Sequence, residues 1–173
     1  ILADVLEVLV ARHSGGLGIA RRHVDLKVLC ERVLDAIQPS HPECPLRLVC
    51  TRPVLGSWDP DRVASLLLRL VKNAIQHGAL RRTVTVSIED LDDRVLLEVK
   101  NFGPSLHRDV TDRLFEPFVC GDADPGNHRG LGVGLYLAKE IVTAHGGSIE
   151  ARSEAGCVVV RAFLPRLPVH DSI

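Results

Sequence analysis

The sequence predicts an α+β fold, a two-layer sandwich in which a mixed, mostly antiparallel sheet carries its helices on one face. Three observations predict it. TVTVSIE (83–89) and RVLLEVKN (94–101) are strand-like segments joined by the polar turn DLDD, and SIEARS and CVVVRAFL are joined through EAG, so both pairs read as hairpins. Amphipathic helical patterns lie before and between the hairpins. Strands and helices do not alternate strictly, as a doubly wound parallel sheet requires.

Each element has its own local signal. Residues 1–12 carry Ile1, Val5, Leu6, Leu9 and Val10 at helical spacing, a stripe too short to stand alone in water. The chain starts inside this pattern without a methionine, as a piece of a longer protein would. SGGLG breaks the stripe, and residues 13–24 read as a linker. Asp25 caps a helix that sets Leu26, Leu29, Cys30, Val33, Leu34 and Ile37 on one face until Pro39 and Pro42 end it. LRLVC (46–50) and VLGSW (54–58) read as strands. Asp59 and Pro60 are an N-cap and a first-turn proline, opening a strong helix that runs to about His77. A short helix near 107–114, a polar loop at 119–129 and a helix starting in HRGLGVGLYLAKEIVTAHGG complete the pattern.

Composition narrows the function. Basic and acidic residues nearly cancel at a net charge of −1, without long runs of one sign, which disfavours nucleic-acid and membrane-surface partners. Aromatic residues make up 3% of the chain, too few for a base-stacking surface. The cysteines Cys30, Cys44, Cys50, Cys120 and Cys157 are odd in number and form no CxxC pair, so they read as isolated thiols of a reducing cytosol. No apolar run reaches the roughly 20 residues that span a bilayer.

The glycines at 130, 132 and 134 raise the question of a phosphate cradle. A dinucleotide fingerprint would follow a strand directly, whereas a polar loop precedes these residues. A Walker A loop would place GK and Ser or Thr here, and no lysine follows any of the three. Two readings stay open: amides and a helix dipole presented to an anion, or a tight entry into a buried helix. On the preceding long helix Val63, Leu66, Leu67, Leu70 and Ala74 form the buried face, while Arg69, Asn73 and His77 form a polar stripe at i, i+4 and i+8. Asparagine is a poor mid-helix residue, so Asn73 either holds neighbouring backbone or offers its amide oxygen to a hydrated magnesium ion.

Taken together and in order, these pieces resemble the ATP-binding catalytic domain of sensor histidine kinases, of the ATPase superfamily shared with gyrase, Hsp90 and MutL, whose architecture is the Bergerat-type ATP-binding fold. LRLVKNAIQHG (68–78) resembles the asparagine box, VKNFGPSL (99–106) the first glycine box, LFEPF (114–118) the phenylalanine box and GLGVGL (130–135) the second glycine box. HGGSIEARSEAGCVVVRAFLP (145–165) resembles the closing pattern. The resemblance implies a catalytic domain over 25–166, preceded at 1–12 by the end of a dimerisation and phosphotransfer hairpin and followed by a tail at 167–173. His13, at the helix–linker junction, reads as an ordinary exposed side chain and not as the phosphoacceptor.

The ligand so implied is ATP with Mg2+, under a lid at 119–129. Asn73 is the implied metal ligand, and the implied nucleotide contacts are Asn73, His77, Asn101, Gly103, Leu106, Phe115, Phe118, Arg129, Gly130, Leu131, Gly132, Val133, Gly134 and Leu135. The implied reaction passes the γ-phosphoryl group to a histidine on a separate hairpin and then to a response regulator receiver domain, in a kinase that is homodimeric although this fragment alone is monomeric. The sequence departs from the resemblance at Asn101, where most of the superfamily has aspartate, at Arg69, where hydrolysing members have a glutamate, and at Cys120, where an arginine is common. An arginine cannot act as a general base, which favours phosphoryl transfer over hydrolysis and leaves Arg69 and Arg129 as phosphate contacts. The alternatives are a serine kinase of the anti-sigma-factor kind and a nucleotide-binding module with little catalysis.

Overall fold

The computed structural model describes residues 17–106, 108–118 and 132–166. The expected helix at 1–12, the tail at 167–173 and the whole stretch 119–131, with the expected lid at 119–129, lie outside them. In chain order the elements are β1 (Arg22–Asp25), α1 (Leu26–Ile37), β2 (Leu46–Val49), β3 (Leu55–Trp58), α2 (Pro60–His77), β4 (Val84–Asp90), β5 (Arg94–Phe102), α3 (Arg108–Arg113), α4 (Gly134–Ala144), β6 (Ser148–Glu154) and β7 (Cys157–Pro165).

Both helix starts follow from an aspartate. Asp25 accepts the N–H of Lys27 at 3.0 Å, and Asp59 accepts those of Asp61 and Arg62 at 3.1 Å each, satisfying amides that the first helical turn leaves unpaired. Pro60 stands at the head of α2, where its missing N–H is not needed. After α1, Gln38 fastens the proline-rich connection: its amide donates to the carbonyls of His41 and Cys44 and accepts from the Leu46 N–H at 2.8 Å.

A five-stranded sheet runs in the order β2-β4-β5-β7-β6. β2 is parallel to β4, in register Leu46↔Val84, and the other pairs are antiparallel. Alternation puts Val84, Val86, Ile88, Val95, Leu97, Val99, Val160, Ala162 and Leu164 on the inner face, buried with the apolar sides of α1, α2 and α4 in one core. The outer face carries charge: Arg161 on β7 pairs with Glu98 on β5 at 2.7 Å, and Glu150 stands opposite Arg161 on β6. This is the α+β, two-layer, mostly antiparallel arrangement that the sequence predicts.

One expectation needs correction. Residues 22–24, read as linker, belong to β1, which pairs antiparallel with β3 in a separate two-stranded sheet, Arg22↔Trp58 through Asp25↔Leu55. RHVD buries only Val24, so no apolar alternation announces it, and its partner is more than thirty residues away. Among the described residues, no helix is long and apolar enough to cross a membrane.

Candidate functional site

The C-terminal half of α2 and the end of β5 meet. Arg69 and Asn73 on α2 are half-buried, at the border of the face that buries Leu70 and Ala74, and His77 is exposed one turn further on. The protein packed around the His77 imidazole penalises its charged form and holds its pKa below 6.5, so His77 is neutral at pH 7.

At the end of β5 the side chain of Asn101 is buried, 5% exposed, and its Nδ2 donates to the Phe102 carbonyl at 3.3 Å. Two glycines close around it. A Cβ on Gly78 would lie 2.5 Å from the Ala74 oxygen and 3.4 Å from Asn101 Nδ2. One on Gly103 would lie 3.2 Å from the His77 oxygen and 3.4 Å from the same amide nitrogen. The Ala79 N–H donates to the Phe102 carbonyl at 2.6 Å, which locks the two element ends together. Beyond β5 the turn is pinned to the β6–β7 hairpin: the Gly103 N–H donates to the Gly156 carbonyl at 3.0 Å, and the Leu106 N–H to Ser153 Oγ at 2.9 Å.

Phe115 is half-buried against the core, whereas Phe118 is 60% exposed and takes a positive φ of 66°. The Phe118 N–H donates to the Gly132 carbonyl at 3.0 Å, joining the two edges of the loop at 119–131. Gly132 has a φ of 64°, in the left-handed region that glycine reaches without steric cost. Val133 is buried with Leu137 and Tyr136 in a small cluster of its own, and Leu135 enters the main core. Gly134 opens α4, and a Cβ there would meet nothing within 4 Å among the described residues. Arg129, Gly130, Leu131 and Cys120 lie outside the described residues.

Three residues outside the expected contacts contribute to this region. Arg82 holds its guanidinium 4.1 Å from the centre of the Phe102 ring, Ser153 anchors Leu106, and Gly78 gives Asn101 its space. Arg82 and Ser153 come near only through the sheet order β4-β5-β7-β6, whereas Gly78 closing the α2 pattern was a readable helix stop. Among the described residues no group of three or more His, Cys, Asp or Glu side chains could hold a metal ion. The Asn73 side chain carries an amide oxygen, a hard donor of the kind a hydrated divalent cation accepts. A separate open groove at the end of α1, lined by Asp35, Gln38, Pro39, Pro42 and Pro45, has its one amide already bonded to backbone.

Known proteins fit this geometry. A bacteriophytochrome of Pseudomonas aeruginosa is 30% identical over 99% of this chain, and the signal transduction histidine-protein kinase AfsQ2 of Streptomyces coelicolor is 30% identical over 99%. This chain spans 23% and 31% of their respective lengths. The catalytic domain of histidine kinase ThkA superposes with a TM-score of 0.76 at 21% identity, covering 87% of this chain and 97% of that one. Full-length ShkA in complex with AMPPNP gives 0.79 at 24% identity, covering 97% and 36%. The fold is thus that of histidine kinase catalytic domains. The profile of the histidine kinase-, DNA gyrase B- and HSP90-like ATPases matches residues 58–168, from the last residue of β3 to just past β7, and the chain belongs to that family.

Proposed function

We propose that this chain is the ATP-binding catalytic domain of a sensor histidine kinase, with the domain proper over 25–166, extended by β1, behind the end of a dimerisation and phosphotransfer hairpin. The observation that carries the reading is the buried Asn101 amide, held between Gly78 and Gly103 at the end of the helix bearing Asn73. A small-residue notch with a polar floor suits the edge of a purine ring, which brings its own donors and acceptors. Asn101 accepts from the adenine amino group, and Gly103 and Leu106 form the turn against the ring.

Asn73 offers its amide oxygen to Mg2+, and His77, neutral at pH 7, lines the same stripe. The magnesium ion supplies screening of the triphosphate charge. Gly130, Gly132 and Gly134 present backbone N–H groups to the phosphates at the head of α4, where Gly134 has room for an anion. Val133 and Leu135, being buried, hold that backbone and contact the nucleotide through it. Arg129, with Arg69 at the polar stripe, answers the phosphate charge. Phe115 roots the segment before the loop at 119–131, and Phe118, with Leu131 beyond it, closes over the nucleotide.

No general base is needed for transfer of the γ-phosphoryl group to a histidine, because positioning and charge stabilisation dominate such reactions. The acceptor histidine lies on the hairpin of the same kinase, which dimerises through it in the cytoplasm, and an aspartate on a response regulator receiver domain takes the group next. The ThkA kinase has been determined in complex with the response regulator TrrA, and that fold matches 97% of this chain at a TM-score of 0.79, which supports the reading.

Nucleotide titrations of the wild type and Asn73→Ala, each with and without magnesium, test the metal role. Magnesium should tighten ATP binding to the wild type and have little effect on the variant. Equal magnesium dependence removes Asn73 from the site. Transfer of labelled γ-phosphate to a separately supplied phosphotransfer hairpin tests the reaction, and an unlabelled hairpin in the presence of bound ATP overturns it.

A further inference from the structure

His145, at the C-terminal end of α4, is 1% exposed and uses both ring nitrogens. Nδ1 lies 2.8 Å from the Ile141 carbonyl and Nε2 lies 3.1 Å from the backbone nitrogen of Asp59. A carbonyl only accepts and an amide N–H only donates, so the neutral tautomer with its proton on Nδ1 satisfies both bonds and no other state does. The ring therefore ties the end of α4 to the start of α2.

The segment entering the domain is fastened to the same two residues. The Ala20 N–H donates to Asp59 Oδ2 at 2.8 Å, while Asp59 Oδ1 accepts the Asp61 and Arg62 amides that begin α2. Arg21 donates to the His145 carbonyl and to the Ser57 carbonyl, both at 3.1 Å. Leu17 is buried in the core just before, and β1 pairs with β3 just after. Asp59 thus joins three parts: the entering segment, the head of α2 and, through its N–H, the imidazole of α4.

We propose that His145, Asp59 and residues 20–21 form a proton-sensitive latch that holds the entering segment against the ends of α2 and α4 and opens when His145 takes a second proton. The proton would go to Nε2, turning an acceptor into a donor that faces the Asp59 N–H. Two donors at 3.1 Å repel, and relief requires Asp59 to move away from the ring, which carries off the acceptor of the Ala20 amide.

The charged groups acting on the ring come from the entering segment and the cap of α2. Arg21 opposes the second proton and Asp59 favours it. Burial outweighs both, and the imidazole is held below its ordinary 6.5. The latch is closed at neutral pH and opens only below the ordinary imidazole range. It acts on the far ends of the two helices whose other ends bear Asn73 and Gly134, and it is independent of what binds there.

Two measurements on the full chain decide this. Ring 15N and 13C shifts of His145 report its tautomer and protonation from about pH 7.5 down to the onset of acid unfolding, while hydrogen exchange reports protection of the Ala20 and Asp59 amides over the same range. The Nδ1–H tautomer is expected at neutral pH, with protection at both amides falling about tenfold or more as the ring protonates, after correction for intrinsic exchange. His145→Gln, which can accept and donate without titrating, should keep these amides protected independently of pH. An Nε2–H tautomer, protonation without loss of protection, or an unchanged pH dependence in the variant overturns the latch. If the variant does not fold, the wild-type titration alone decides.

Discussion

The indole Nε1 of Trp58 donates to the carbonyl of Pro165 at 3.0 Å, so the end of β3 is tied to the end of β7 across 107 positions of the sequence. Trp58 is fully buried, and its ring lies so close over Gly56 that a Cβ there would collide with it. Trp58→Phe removes the donor and part of the ring, and should cost about 2–4 kcal/mol in urea unfolding. Gly56→Ala should cost about 1–3 kcal/mol, because the ring has to shift to admit one methyl group. Unchanged unfolding midpoints would mean that this junction does not hold the domain closed.

Gly134 and Gly147 should part company on substitution. At Gly147 a Cβ would strike the backbone oxygen of Phe163, and backbone yields poorly, so Gly147→Ala should lower the unfolding midpoint clearly. At Gly134 such a Cβ meets none of the described residues within 4 Å, and alanine is the better helix former, so Gly134→Ala should leave stability within about 1 kcal/mol of the wild type. The same substitution should weaken ATP binding if phosphates approach this backbone. Intact affinity in a folded Gly134→Ala protein would count against that approach.

Asp59 makes the acid side of the stability curve steep. Burial acts to raise its pKa, but the N–H groups of Ala20, Arg62 and Asp61 and the charge of Arg62 outweigh burial and hold the carboxyl below 3.8. A folded-state pKa below the unfolded one means that the unfolded chain binds the proton first. The stabilisation is therefore complete above 3.8 and is lost as pH falls through the folded value. Asp59→Asn keeps a capping oxygen but no titrating group. Its unfolding free energy should fall by about 1 kcal/mol at neutral pH and vary less than that of the wild type in acid. Parallel curves for the two proteins would remove Asp59 from the acid response.

Cys30 should be chemically silent in the folded chain. Burial, with smaller effects of Cys50 and Glu31, pushes its thiol up to about 12, so almost no thiolate exists at neutral pH. In a variant with Cys44, Cys50, Cys120 and Cys157 replaced by serine, thiol labelling should rise only with urea, in step with unfolding. Prompt labelling without denaturant would show that α1 opens locally.

How much was readable depended on where each signal resides. α2 announced both ends, because Asp59, Pro60 and the spacing of Val63, Leu66, Leu67, Leu70 and Ala74 act within one segment. The two hairpins were equally open, since each strand meets its partner across a short turn. β1 and the parallel seat of β2 beside β4 were not, because both depend on partners distant in sequence. At the candidate site Asn73, Asn101 and Gly103 stand in short patterns, while Arg82 and Ser153 become neighbours only after the sheet forms. His145 carries no local signal of its own beside Gly146 and Gly147. Its role depends on an amide 86 positions away, which no local pattern encodes.

The bond from the Phe118 N–H to the Gly132 carbonyl sets a port in the fold. The chain departs and returns at almost one point, so the fold itself fixes how far apart the ends of the intervening stretch lie. Doubling such a stretch adds only about 0.6 kcal/mol of closure entropy, which makes this the natural place to graft a foreign peptide or to let length drift between relatives.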